Sequence, residues 1–360
     1  MKEEIINGIK YRLNGGTLTA EVIKKNEGCE GEIIIPKTVV FNELTYRVTS
    51  IGEDAFEDCD GLTSIVIPEG VKSIGANAFS GTSLAAVVIP DSMMSIGERV
   101  FEDCCDLASV VIPDSVQSIG KYAFHRCTSL ESVRIPDSVK IIGASAFSDC
   151  SSLTSITLPN SVTTIGEYAF QRCEKLTSVA IPSSVTSIGQ GGTFQGCTSL
   201  KSVQWNAINC TIDQNSDGRY CPPFADLSSI RNFTFGNNVK FIPTFLCYGL
   251  NNLTSIYLPD GITSIGAGAF KNCSMLKALD IPNSVMLIEK IAFSGCKSLK
   301  IIAIPSSVMI IENGAFGGYE LEVIRYGGTV EQCKARYRYW DQMFHGQCIS
   351  CTDGDVTVYF

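Results

Sequence analysis

Charged residues are sparse in this 360-residue sequence, and histidine is almost missing. Charged side chains make up 18% of the chain, only two residues are histidine, and 37 Asp and Glu outnumber 28 Lys and Arg. The net charge of −9 argues against a protein that tracks a nucleic-acid backbone, because such proteins need a basic stripe. The same charge argues against electrostatic attachment to anionic lipid.

The sequence also lacks long apolar runs. None approaches the roughly 20 residues that a membrane-spanning helix needs, so no membrane span is expected. The segment Met1 to Lys10 carries charges but no apolar core of a secretory signal. Either the protein stays inside the cell, or an export peptide ahead of Met1 has been removed.

Motifs that carry chemistry are missing as well. There is no Gly-x-Ser-x-Gly elbow, phosphate-binding loop or zinc-protease signature. His125 occupies a position that other repeats fill with Ser, Glu, Gln or Lys, which indicates a solvated side chain. We therefore expect a non-catalytic protein without a metal or other cofactor.

What the sequence does contain is a repeat. The stretch 112–134 restarts at Ile135, Leu158 and Ile181, about every 23 residues, with nearly the same apolar residues in the same places. Each unit is too small to bury its own apolar side, so successive units must stack as a solenoid. An Ile followed by Gly or a close variant marks about eleven such coils, at Ile51, Ile74, Ile96, Ile119, Ile142, Ile165, Ile188, Ile242, Ile265, Ile288 and Ile311.

One coil shows how its residues divide between core and surface. Val133 and Ile135 are two residues apart, so they face inward on a strand while Ser132 and Arg134 face outward. A proline follows and ends the strand. Further on, an Ala-Phe pair predicts a short helical or 3₁₀ corner whose Phe fills the core.

Departures from the period suggest boundaries along the chain. Residues 1–45 are predicted to form a cap with a hairpin around Asn14-Gly15-Gly16. Two repeat blocks, 46–205 and 229–326, flank an irregular insertion at 206–228. Residues 327–360 are predicted to form the C-terminal cap, with an amphipathic helix within 329–344 and a last strand at 356–360.

The repeat Leu-x-x-Val-x-Ile-Pro-x-Ser-Val-x-x-Ile-Gly-x-x-Ala-Phe-x-x-Cys resembles BspA-type leucine-rich repeats over roughly residues 45–326. The tail at 326–332 and 351–354 also resembles the closing segment of such proteins, although Cys333 stands where they usually have Trp. The resemblance implies an α/β-type solenoid, a curved right-handed coil with short strands on its concave face and a cap at each end. It also implies an exported protein used for adhesion or other binding, and it supplies no catalytic residues.

Thirteen of the sixteen cysteines fall into three groups. Eight share one repeat position and are predicted to form a buried, reduced column, because neighbouring thiols would point the same way: Cys59, Cys104, Cys127, Cys150, Cys173, Cys197, Cys273 and Cys296. Cys210 and Cys221 flank a polar loop and either form a disulfide or remain separate. In the tail, Cys333, His345, Cys348 and Cys351 suffice on paper for a zinc site, but packing is the favoured interpretation.

Binding is expected on the concave face, where one outward column is uniformly small and a second one varies. Adding aromatic and arginine anchors, the candidate binding residues are Arg134, Thr157, Gln204, Trp205, Tyr220, Tyr257, Asp280 and Arg325. We expect a monomeric extracellular or cell-surface binding protein whose partner is a host protein or glycan. A structural spacer, or an accessory subunit of a surface glycan-utilisation complex, is the alternative.

Overall fold

The computed structural model describes residues 1–24, 29–189, 191–212, 222–318, 321–336 and 348–357. The chain divides into two compact units, Met1–Leu176 and Thr177–Phe360. Each unit is a stack of parallel β-coils, and the only helix among the described residues is α1, Val330–Arg336.

Unit 1 opens with a capping sheet. Its strands are β1 (Lys2–Ile6), β2 (Ile9–Asn14), β3 (Thr19–Val22), β5 (Thr38–Phe41) and β6 (Leu44–Ile51). The hairpin expected around Asn14-Gly15-Gly16 is confirmed, because Leu13 pairs with Ala20 in an antiparallel register. The edge of β6 continues into the first coil by parallel pairing of Ile51 with Ile74.

Two columns of parallel strands then run through unit 1. The strands of the first column are β4 (Glu30–Ile34), β7 (Gly61–Val66), β9 (Ala86–Val88), β11 (Ser109–Val111), β13 (Ser132–Arg134) and β15 (Ser155–Thr157). The second column consists of two-residue strands: β8 (Ser73–Ile74), β10 (Ser95–Ile96), β12 (Ser118–Ile119), β14 (Ile141–Ile142) and β16 (Thr164–Ile165). Val133 pairs with Ile156, so the structural period equals the 23-residue sequence period.

Unit 2 repeats this plan and ends in a second cap. Its first column is β17 (Ser178–Ile181), β19 (Ser202–Trp205), β21 (Asn232–Phe235), β23 (Ser255–Ile256), β25 (Ala278–Leu279), β27 (Ile301–Ile304) and β29 (Val323–Tyr326). Its second column is β18 (Ser187–Ile188), β20 (Thr211–Ile212), β22 (Phe241–Ile242), β24 (Ser264–Ile265), β26 (Leu287–Ile288) and β28 (Ile310–Ile311). Strands β30 (Cys348–Cys351) and β31 (Gly354–Thr357) form an antiparallel pair, and β30 lies parallel to β29.

The structure contains about twelve coils instead of eleven. Ile212 pairs with Ile188, and Phe233 pairs with Val203 thirty residues earlier, so a further coil lies within the segment expected to be irregular. Phe224 stacks on Phe194 and takes the corner position of this coil. Seven extra residues hide the coil from a search at a fixed period.

In the core of each unit, side chains from the same repeat position stack on one another. In unit 1 the rings of successive corner phenylalanines stack with centroids 5.2–5.6 Å apart, from Phe56 to Phe170. In unit 2, Phe270, Phe293 and Phe316 stack in the same way at 5.3 Å. Stacked rings at this distance bury their faces against one another, which is the driving force that a single coil lacks.

The corners are hydrogen-bonded turns, whereas the sequence predicts short helical or 3₁₀ segments. The amides of Tyr122, Phe124 and Arg126 donate to carbonyls of the following coil, at 2.8–2.9 Å. Tyr122 and Arg126 adopt positive φ angles of 57° and 59°, which alternate the direction of the amides. A helix would have satisfied these amides within its own segment, so coil-to-coil bonding overrides it.

Close approach between coils explains two further repeat positions. A Cβ atom added to Gly143 would lie 2.7 Å from the carbonyl carbon of Gly120, so the coils can stack there only without side chains. The serines that precede Val act as donors between coils: Ser161 Oγ donates to Val139 O at 2.7 Å, and Ser284 Oγ to Ile262 O at 2.6 Å.

Candidate functional site

The strand face of unit 1, formed by the outward side chains of β4, β7, β9, β11, β13 and β15, presents two parallel columns. The first column is small apart from one carboxylate: Glu32, Ser64, Ala86, Ser109, Ser132 and Ser155. The second column varies: Ile34, Val66, Val88, Val111, Arg134 and Thr157. All second-column side chains are exposed, while the residues between the two columns point into the core.

Arg134 is the one charged residue of this second column. Its guanidinium donates to Asp114 Oδ1 at 2.9 Å, and both side chains remain largely exposed. An exposed pair of this kind contributes little stability. Arg134 therefore remains accessible for binding.

The strand face of unit 2 holds Gln204, Tyr257, Asp280 and Arg325, and all four side chains are exposed. Tyr257 has 66% of its surface accessible. Thr234 also belongs to this column, because it pairs in register with Gln204. The sequence reasoning missed Thr234 because its coil is lengthened by the insertion.

One predicted binding residue does not reach this face, and another lies outside the described residues. Trp205 is completely buried, because it pairs in register with Ile181 and Phe235, whose side chains point inward. Alternation along β19 places Gln204 outward and Trp205 inward, so Trp205 is a core residue and not a binding anchor. Tyr220 lies outside the described residues.

Comparison with known proteins now fixes the family. The profile of the BspA type Leucine rich repeat region matches six copies in this chain, over residues 38–150, 94–216 and 219–339. The chain belongs to the BspA-type leucine-rich repeat family. Its repeats form a protein-interaction scaffold.

Solved structures agree with this assignment. A leucine-rich cell surface protein from Faecalibacterium prausnitzii is 30% identical, with 93% of this chain and 97% of that one covered and a TM-score of 0.55. A leucine-rich repeat protein from Bacteroides ovatus is 24% identical over 97% of this chain and 100% of that one, with a TM-score of 0.53, and shows the shared fold. No curated protein matches the chain.

The BspA-type cysteine position forms a buried column, and its thiols make hydrogen bonds. In unit 1, Cys127 Sγ donates to Phe101 O and Cys150 Sγ to Phe124 O, both at 3.1 Å. In unit 2, Cys296 Sγ donates to Phe270 O at 3.1 Å. Each thiol therefore links its corner to the corner of the preceding coil, beyond the role of an apolar filler.

Burial suppresses the acidity of these thiols. Loss of hydration raises the pKa of Cys104 to about 11, partly offset by its contact with Thr82, and raises that of Cys296 to about 12. A thiol that stays protonated at neutral pH is a poor nucleophile. The column therefore serves structure rather than chemistry.

Cys59 departs from the predicted reduced column. It forms a disulfide with Cys29, with the two Cα atoms 5.3 Å apart. The first coil has no preceding corner carbonyl for Cys59 to bond, and the cap places Cys29 there instead. The prediction of a reduced thiol at Cys59 is therefore wrong, because its neighbour comes from the cap and not from a coil.

The remaining cysteines give no metal site among the residues that the structure describes. Cys210 is buried, while Cys221 and His345 fall outside those residues, so the Cys210–Cys221 disulfide stays a prediction. Cys333 in α1 is buried and lies in hydrogen-bond contact with Cys351, and burial raises the pKa of Cys333 to about 12. Within the described residues, no three side chains of His, Cys, Asp or Glu are placed to hold a metal ion.

In the part of the chain that the structure describes, no helix has the length and apolar character needed to cross a bilayer.

Proposed function

We propose that this protein is a non-catalytic, exported or cell-surface binding protein of adhesin type. It recognises a host protein or a glycan through the second-column residues of its strand faces. The location is supported by the similar protein from Faecalibacterium prausnitzii, which is a leucine-rich cell surface protein.

The observation that carries this proposal is that one exposed column of side chains varies from coil to coil, while the other strand positions keep the same character. In the described coils the inward positions stay apolar and the first outward column stays mostly small, yet the second column runs from valine to arginine, threonine, glutamine, tyrosine and aspartate. The core sets no requirement on these exposed side chains. A surface that varies while its geometry is held constant suits recognition of a specific partner.

The test is a binding screen followed by substitution. The purified chain is screened against extracellular-matrix proteins and a glycan array, and the best partner is titrated by calorimetry. We expect Arg134→Ala or Tyr257→Ala to lower the affinity for that partner by about tenfold or more, because anchor residues carry much of the binding energy.

Matched controls come from the column of two-residue strands, which lies apart from the strand face. Lys140→Ala and Thr163→Ala change exposed residues beside β14 and β16 and should leave the affinity unchanged. Equal affinity for all four variants would show that the strand faces do not bind the partner. Absence of any partner in the screen would favour the spacer role.

A further inference from the structure

The strand face of unit 1 carries an aliphatic stripe. Ile34, Val66, Val88 and Val111 follow one another in its second column, with exposed fractions of 62%, 45%, 64% and 57%. Adjacent strands lie about 4.8 Å apart, so the stripe extends over about 14 Å. Contiguous exposed apolar side chains of this kind mark interaction surfaces more often than isolated ones do.

The repeat itself does not require these aliphatic residues. The next two coils carry Arg134 and Thr157 at the same position, with the same strand pairing and the same buried neighbours. High β-propensity alone would therefore not explain a run of four. The run is a property of the first coils of unit 1.

A row of carboxylates accompanies the stripe. Three residues after each of Val66, Val88, Val111 and Arg134, the chain places Glu69, Asp91, Asp114 and Asp137, and all four are exposed. The row is continuous at its start, since the amide of Asp91 donates to Glu69 Oε1 at 3.2 Å. Two cationic residues accompany the carboxylates. Arg134 pairs with Asp114, and Lys37 takes the corresponding position three residues after Ile34.

Building on the function proposed above, we propose that this surface binds a basic amphipathic α-helix of a protein partner. The helix lies across the strands, with its aliphatic residues on the stripe and its Lys or Arg side chains against the carboxylate row. On a helix, residues three and four apart are separated by about 4.5 and 6 Å along the axis, close to the spacing of the strands. A stripe of 14 Å matches about ten helical residues.

Charge and polarity disfavour other occupants. A second copy of this chain would bring one carboxylate row against another, and an anionic lipid surface would be repelled in the same way. The aliphatic stripe offers no hydrogen-bonding groups to a sugar, whose hydroxyls would lose water without replacement. A helix with a cationic flank satisfies both the stripe and the row.

The test uses a synthetic peptide of about 14 residues, in which leucines recur at i, i+3, i+4 and i+7 and lysines line one flank. A peptide of the same composition in scrambled order is the reference. We expect the amphipathic peptide to bind the full chain at least tenfold more tightly than the scrambled one, by fluorescence anisotropy. Because the carboxylate row contributes, the affinity should fall as the ionic strength rises.

Variants of the chain separate the two parts of the surface. The double variant Val88→Asn/Val111→Asn should lower the affinity for the peptide by about tenfold or more. The double variant Asp91→Asn/Asp137→Asn should lower that affinity by a few-fold, and only at low salt. Ile141→Asn changes an exposed aliphatic residue of β14, which belongs to the column of two-residue strands. This variant is the control and should have no effect on peptide binding. Thermal unfolding checks that every variant is folded, and photocrosslinking of the peptide to the unaltered chain should label residues within 30–37 and 61–137.

Several results would overturn the proposal: equal binding of the scrambled peptide, equal loss in Ile141→Asn, crosslinks elsewhere, or dimerisation of the chain through this face. The outcome is distinguishable from failure of the proposed function. A natural partner that is lost in Arg134→Ala or Tyr257→Ala, but bound normally by Val88→Asn/Val111→Asn, would sink only the helix proposal.

Discussion

At the scale of single residues, the cysteine at the end of each corner does two jobs. It fills a small space in the core, and its thiol donates to the corner carbonyl one coil earlier, as Cys127 does to Phe101 O. Thr82 takes this position in one coil and donates to Phe79 O at 2.8 Å within its own coil. A hydroxyl and a thiol are thus both accepted at this position, and two coils of unit 2 place the buried Leu227 and Leu250 there instead.

The raised thiol pKa values predict an alkaline loss of stability. An unfolded thiol loses its proton near pH 9, whereas Cys104 and Cys296 keep theirs to about pH 11 and 12 when folded. Their contribution is fully present below pH 9 and declines as the pH rises toward the folded values, by about 1.4 kcal/mol per thiol and pH unit.

Urea unfolding between pH 8 and 10, without oxygen, measures this effect. Near pH 10, where unfolded thiols have mostly lost their protons and the folded ones keep theirs, Cys104→Thr/Cys296→Thr should have a shallower pH slope than the unaltered chain, by nearly two protons. Cys105→Ser, which removes an exposed thiol outside the column, serves as the comparison variant. An unchanged slope in the double threonine variant would show that these thiols are not protected by burial.

At the scale of elements, the N-terminal segment is attached to the first coil by strand pairing and by a covalent bond. Strand β6 pairs with β8, and the Cys29–Cys59 disulfide joins the segment before β4 to the first corner. The disulfide takes the place of the hydrogen bond that the thiols of Cys104, Cys127 and Cys150 donate to the preceding corner. The cap therefore covers the first coil and also supplies a bonded partner for Cys59.

Removing this disulfide should loosen the cap. The bond spans 30 residues, and loop closure of that length stabilises a fold by about 3–4 kcal/mol in the chain-entropy account. Cys29→Ser should lower the free energy of unfolding by roughly this amount in non-reducing urea titrations. In a reducing buffer the unaltered chain should match the variant; a persistent difference would mean that the serine acts through packing.

At the scale of the whole molecule, stability is assembled from contacts between consecutive coils. Side-chain hydrogen bonds such as Cys150 to Phe124 O and Ser161 to Val139 O span 26 and 22 residues, which is one coil. Such a stack behaves as a one-dimensional array, in which each repeat is stabilised by its nearest neighbours. Damage to one coil should therefore remain local.

Phe124→Ala tests this locality. The substitution removes one ring from the stack of unit 1 and should cost about 3–5 kcal/mol. Hydrogen exchange should show lost amide protection in the coils around Phe101 and Phe147, with protection at Ile265 and Ile288 in unit 2 retained. The mirror variant Phe293→Ala should give the reverse pattern, whereas uniform loss in both variants would indicate that all coils unfold together.

The sequence by itself determined the repeat, the inward and outward positions of each strand, and the family. A period of 23 residues and alternation along short strands leave only one arrangement that buries all equivalent apolar side chains. The exposed places of Arg134, Thr157 and Tyr257 follow from that rule.

Only the tertiary structure decided which residues from outside the period join it. It placed Trp205 inside, recovered the coil of Ile212, turned the corners into coil-to-coil ladders and brought Cys29 to Cys59. Each of these depends on a partner that a fixed sequence interval does not specify. Register and proximity in three dimensions supplied that partner.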